Sequence, residues 1–202
     1  MKKLYIIRHG ETEPNRQHII QGSGLDAPLN ETGIRQAADF FVAYRHIDFD
    51  AVYTSALIRT WQSVDGFLKK GIPHVPVKNL NEISWGVKDG TRIDPSEQKI
   101  YNAMLSDWKA GLLDRSFEKG ESPNVVAARM KLAMDDLMET DFKTILMCIH
   151  GRALRILLCV LMKKNLADME TFLHSNLCLY ILSFDGQNWT IELENDTDHL
   201  QS

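Results

Sequence analysis

A chain of 202 residues, 44% apolar and 25% charged, is long enough for one globular domain with a sizeable core. Its formal net charge of -4, with no block of Lys or Arg, excludes a general nucleic-acid binder, because no cluster of cations is present to neutralise many phosphates together. Arg8 interrupts the first apolar run too early for a secretory leader, and the longest later run, near residues 156–162, is too short to span a bilayer. Neither export nor membrane association is expected.

Residues 3–7 read as a buried strand, followed by a loop over residues 9–29 in which Gly22, Gly24 and Pro28 act as breakers. Asn30 is an N-cap for a helix running to Tyr44, with Ile34, Ala37, Ala38, Phe41 and Val42 at helical spacing as its sheet-facing stripe. Residues 51–54 form a second strand, and Ser55 opens a turn into a helix reaching about residue 69. Asp94-Pro95-Ser96-Glu97 starts a helix toward Trp108, and Ser122-Pro123 repeats the device for a helix ending near Thr140. Residues 144–149 are a continuous apolar strand. The helix expected from Gly151 onward is apolar on nearly every side and therefore buried. Segments 178–184 and 189–194 flank Asp185-Gly186 as a hairpin. Strands alternating with helices imply an α/β fold, a three-layer α/β/α sandwich with a mostly parallel central sheet.

The chemistry is concentrated at the expected strand ends. The first strand runs into Arg8-His9-Gly10-Glu11-Thr12, with Asn15 three residues on: a permanent cation beside a titratable ring, and a glycine that lets the backbone come close. Arg59 falls in the first turn of the helix after the second strand, and His150-Gly151-Arg152 follows the strand at 144–149. Ligands of open α/β sheets bind beyond the carboxyl ends of strands, so Arg8, His9, Arg59 and His150 are placed to meet around one anion. Phosphoryl transfer asks chiefly for such fixed cations, and a guanidinium never loses its charge. Helix starts near Ser55 and Gly151 are expected to aim free N–H groups at the same point. Glu82, beside Ile83 and Trp85, has the apolar surroundings that raise a carboxyl pKa for general acid work. Glu11 and Thr12 read as residues that hold the loop by hydrogen bonds.

Other polar residues have plainer readings. His18, His46, His74, His174 and His199 lack a comparable context and read as loop, packing or surface residues, and the four tryptophans as core or rim. Cys148, Cys159 and Cys178 are odd in number and lie in apolar runs without Cys-x-x-Cys spacing, as reduced thiols of a cytoplasmic protein do. A cysteine-phosphatase loop at Cys148 is excluded, since it needs an arginine at position 154, which is Leu.

Arg8-His9-Gly10-Glu11-Thr12 with Asn15, Ser55-x-Leu57-x-Arg59-Thr60, Leu80-x-Glu82, Gly120-Glu121-Ser122 and His150-Gly151 resemble, in order, the successive blocks of the histidine phosphatase superfamily, also called phosphoglycerate-mutase-like. The resemblance spans almost the whole chain and implies one domain over residues 1–202 with that fold. By it, His9 is the phosphorylated nucleophile, Arg8, Arg59 and His150 form the phosphate pocket, Asn15 contacts the transferred group and Glu82 is the proton donor. Gln21, Gly22, Gly151 and Arg152 stand where relatives line the substrate, and residues 89–119 are expected to cap the pocket, with Arg92, Lys99, Lys109 and Arg115 either as substrate contacts or as a solvated face. Cations around His9 are expected to keep it neutral, and a bound dianion to favour the charged form of His150. No cofactor is expected, and no metal, because the arginines supply positive charge and no ligand spacing is present.

The resulting expectation is a phosphatase acting on a small phosphorylated metabolite, with substrate and oligomeric state left open. One alternative is a phosphoglycerate mutase using the same phosphohistidine, against which stand Glu82-Ile83-Ser84-Trp85 in place of a Glu-Arg-His-Tyr type stretch and the lack of a paired-arginine clamp. A second is a non-catalytic sensor of phosphorylated ligands, which would need the arginines but neither His9 nor Glu82.

Overall fold

The apolar run after Lys2 forms β1 (Lys2–Arg8), whose period-two alternation divides the core: Leu4 and Ile6 face one side of the sheet, Tyr5 and Ile7 the other. A computed structural model describes residues 1–200. The loop that follows contains a short helix, α1 (Glu13–Arg16), not anticipated from the sequence. Thr12 and Asn15 cap it reciprocally, each side-chain oxygen accepting the other's backbone N–H. Helix α2 (Glu31–Tyr44) begins as expected, with Asn30 Oδ1 accepting the Gly33 N–H at 2.9 Å. Its inward stripe differs. Gly33 and Phe40 are buried, whereas Ile34 and Val42 are 57% and 58% exposed. Any Cβ on Gly33 would collide with the Glu11 carbonyl, so contact with the site loop sets the helix phase ahead of the apolar pattern.

After β2 (Ala51–Thr54) the single expected helix is two, α3 (Ile58–Ser63) and α4 (Asp65–Lys69), broken at Val64. The Ser63 hydroxyl donates back to the Arg59 carbonyl at 2.7 Å, a bond that bends helices. Strand β3 (His74–Pro76) was also unanticipated; its proline is tolerated because β3 is a sheet edge. Asp94 and Ser122 cap α5 (Pro95–Lys109) and α6 (Pro123–Met138) as the sequence predicts. Next come β4 (Thr144–Ile149) and α7 (Gly151–Leu161), which is buried at every position but Arg155 and Val160. The hairpin of β5 (Leu179–Phe184) and β6 (Trp189–Asp196) closes the chain.

The sheet order is β3-β2-β4-β1-β5-β6, parallel in three of its five pairings, with β5 and β6 joining antiparallel. One face packs on α2 and α4, the other on α6 and α7. Arg8 pairs with Ile149, and Thr54 with Cys148, so β1, β2 and β4 end almost level. That register brings Arg8-His9, Ser55 and His150 out of the sheet side by side.

Candidate active site

Strand register makes the two histidines neighbours, with ring centroids 5.2 Å apart and the His9 N–H donating to the Ile149 carbonyl at 3.0 Å. His9 Nδ1 lies 2.7 Å from the Gly10 carbonyl, which only accepts; the ring proton therefore sits on Nδ1 and leaves Nε2 with a free lone pair. Burial, then the charges of Arg59 and Arg8, hold its pKa well below the usual histidine range, so the ring is neutral.

Arg59 is fully buried and clamped by three acceptors: Nε donates to His150 Nδ1 at 3.1 Å, Nη1 to the Leu25 carbonyl at 3.0 Å and Nη2 to the Gly22 carbonyl at 3.3 Å. Burial lowers its pKa to about 10, which still leaves it charged at neutral pH. Because His150 Nδ1 accepts, its proton is on Nε2 and is donated to the Ser55 hydroxyl at 2.8 Å. Burial and the neighbouring Arg59 push the pKa of His150 far down, so the ring braced here is neutral.

The Glu82 carboxylate accepts three backbone N–H groups, from Ile83 and Ala153 at 2.9 Å each and from Arg152 at 3.1 Å. Its surroundings are thus not the purely apolar ones expected. Two of the N–H groups that the start of α7 was expected to offer an anion, those of Arg152 and Ala153, are taken by this side chain. Those after Ser55 are occupied too, by Asn81, Ser55 and Asp26. Arg129 fixes the Glu82 loop: it pairs with Glu121 and donates to the Asn79, Asn81 and Glu82 carbonyls.

A cavity of about 190 Å³ gathers Arg8, His9, Asn15, Gln21, Glu82, Gly151 and Arg152 around it, opposite an apolar wall of Ile19, Ile20, Ile93 and Trp85. Arg59, His150 and Gly22 stand behind this lining. Gly22 serves the loop: its carbonyl receives Arg59 and its N–H donates to Asp89 at 2.8 Å. Gln21 Oε1 accepts from Thr12 at 2.7 Å and Asn15 at 3.4 Å. The Nε of Arg8, the Nε of Arg152 and the Nε2 of Gln21 are buried donors with no partner among the described residues. Unused donors on three residues of the cavity lining suit an oxyanion. Arg152 otherwise pairs with Glu170, donates to the Tyr101 hydroxyl at 3.4 Å and lies over the Trp108 ring. Arg92, Lys99, Lys109 and Arg115 of the 89–119 segment are exposed and do not line the cavity, as a solvated face does. Glu11 and Thr12 hold the loop as anticipated, Glu11 accepting from Asn30 at 2.7 Å. Cys148 is buried, which raises its pKa and keeps the thiol protonated.

Three residues at the site carry no sequence signal. Asn176 donates to the His9 carbonyl at 3.0 Å and to Asn15 at 3.2 Å, tying the loop after β1 to the loop before β5. Tyr101 closes the cavity from α5, and His174 lines it beside Arg8. All three arrive through long-range packing.

Neutral buried histidines make stability fall with acidity. The unfolded chain binds protons below about pH 6.5 while His9, His150 and His174 stay neutral when folded, so stability is full above that pH and is lost as pH falls beneath it. His174 alone, with a pKa of about 2, costs about 2 kcal/mol at pH 5. Urea unfolding at pH 7.5 and 5.0 checks this; equal or greater stability at pH 5.0 contradicts it.

Over residues 4–197 the chain matches the family described as histidine phosphatase superfamily (branch 1). It is 30% identical to the Yersinia pestis protein named probable phosphoglycerate mutase GpmB, covering 99% of this chain and 95% of that one. A segment covering 43% of this chain is 42% identical to the bovine fructose-2,6-bisphosphatase TIGAR, and it spans only 34% of that protein's length. Among solved structures, Bacillus stearothermophilus YhfR is similar at a TM-score of 0.85 and 25% identity, covering 98% and 99% of the two chains. Alpha-ribazole phosphatase from Shigella flexneri, at 0.83 and 23% over 96% of each, shares the fold.

Proposed function

The chain belongs to the histidine phosphatase superfamily (branch 1), and from that premise we propose that it hydrolyses a phosphomonoester through a phosphohistidine on His9. The observation that carries the reading is the His9 tautomer: Nδ1–H is spent on the Gly10 carbonyl, and the Nε2 lone pair is left at a cavity lined by Arg8 and Glu82. His9 Nε2 attacks phosphorus, the bond from phosphorus to the leaving oxygen breaks, and Glu82 gives that oxygen its proton. Water then attacks the phosphohistidine as Glu82 takes a proton back, the P–N bond breaks and phosphate leaves. Arg8 and Arg59 offset the charge on the equatorial oxygens. No step calls for a metal.

The small cavity and the 89–119 segment closing over it through Ile93 and Tyr101 favour a small phosphorylated metabolite. Three free buried thiols favour a reducing compartment, so the cytoplasm is the proposed location. Among the described residues no helix is long and apolar enough to cross a membrane. Similarity to the Yersinia protein named probable phosphoglycerate mutase supports the second reading, phosphoglycerate mutase, and phosphate release against phosphate transfer on phosphoglycerates separates the two. A phosphatase screen over a phosphometabolite panel, with His9→Ala as blank, tests the proposal; no turnover above that blank on any member overturns it.

General acid work by Glu82 has its own signature. Glu82→Gln is expected to lower kcat/KM by about 10²- to 10⁴-fold on alkyl phosphates. The loss should be far smaller on p-nitrophenyl phosphate, whose leaving group needs no proton. Equal losses on both, or a bell-shaped pH profile that survives the substitution, remove Glu82 from this role.

A further inference from the structure

His174 belongs to none of the motif blocks, yet its ring lines the cavity beside Arg8, His9 and Gly151, reaching it from the loop before β5. Its Nδ1 lies 3.1 Å from Arg8 Nη1, and a guanidinium has only donors, so Nδ1 accepts and the ring proton sits on Nε2. Burial, then Arg8, Arg155 and Arg152, push its pKa down to about 2, consistent with a neutral ring.

Two further observations make the contact more than packing. Among the described residues it is the one hydrogen bond made by the Arg8 side chain, whose Nε is buried and unpartnered, whereas Arg59 is fixed by three acceptors. The Cε1–Nε2 edge of the ring also lies on Gly151, where a Cβ would stand 2.9 Å from Cε1 and 3.0 Å from Nε2. Glycine at the start of α7 makes room for this imidazole. No described residue accepts from Nε2, which leaves that N–H for a ligand in the cavity.

We propose that His174 is a further residue of the phosphate site, aiming Arg8 through Nδ1 and donating its Nε2–H to the bound phosphoryl group. The ring stays neutral and forms no bond to phosphorus. This deepens the phosphatase reading and rests on it.

The test is calorimetric binding of inorganic phosphate to the parent, His174→Ala, Arg8→Ala and the double variant. Losing a hydrogen bond to a charged group predicts roughly 10- to 100-fold weaker binding in His174→Ala. Because one residue acts through the other, the double variant should bind at least about fivefold more tightly than the product of the single losses. Gly151→Ala, which displaces the ring, should weaken binding in the parent and have little effect in the His174→Ala background. If His174→Ala does not fold, His174→Asn, which lacks the Nε2–H, is expected to show the roughly tenfold loss itself. Binding within twofold of the parent, or single losses that simply multiply, overturns the assignment. A parent that shows this coupling but hydrolyses no phosphomonoester sinks the phosphatase reading alone.

Discussion

His9→Ala should lower kcat/KM by about 10⁴-fold or more while leaving a folded protein that still binds inorganic phosphate. Among the described residues the substitution removes the one imidazole lining the cavity with an unprotonated nitrogen that no side chain occupies, since His174 spends Nδ1 on Arg8 and the neutral His150 spends Nδ1 on Arg59 and Nε2 on Ser55. The backbone around it does not depend on the imidazole: the His9 N–H bonds the Ile149 carbonyl, and the Gly10 N–H bonds the Ser63 hydroxyl at 2.9 Å. Arg8 and Arg59 stay in place, so phosphate affinity should change far less than turnover. Steady-state kinetics beside phosphate calorimetry checks both halves, and a variant keeping more than about 1% of parental turnover would contradict the assignment of the nucleophile.

Arg59→Met should damage both activity and stability. The guanidinium ties its own helix to two segments remote in sequence, through the Gly22 and Leu25 carbonyls of the first loop and the ring of His150 after β4. Met keeps the apolar stem but leaves two buried acceptors, His150 Nδ1 and the Gly22 carbonyl, and the half-buried Leu25 carbonyl without a donor, each buried one costing about 1–3 kcal/mol. On the proposed route its charge also offsets the developing oxyanion, and loss of such a group costs about 10²- to 10³-fold in turnover. Arg59→Lys should not rescue either loss, since one ammonium does not reproduce the planar fork that reaches three acceptors. Urea unfolding and kcat on the best panel substrate measure the two effects. A variant within about 1 kcal/mol and tenfold of the parent would show that Arg59 is dispensable.

What the sequence made legible is what strand ends and caps control. Arg8, His9 and His150 follow apolar runs whose boundaries are sharp, and parallel register then sets them side by side. Asn30, Asp94 and Ser122 start their helices because a short polar side chain can hold the first free N–H groups. Features decided by distant contacts were hidden. The phase of α2 follows from Gly33 lying on Glu11, and β3 from its edge position in the sheet. The Arg152 and Ala153 N–H groups of α7 bond Glu82, about seventy residues earlier in the chain, and nothing local to either segment announces that meeting. His174 and Asn176 sit in an ordinary polar loop and acquire a place at the site only when β5 pairs with β1.

Trapping the covalent intermediate tests the central claim most directly. Rapid acid-free quenching with a substrate labelled in its phosphoryl group should leave label on the chain, stable to alkali, labile to acid and mapping by peptide analysis to His9. Label on any other residue, or turnover at the parental rate with no labelled protein at any quench time, would contradict a phosphohistidine route.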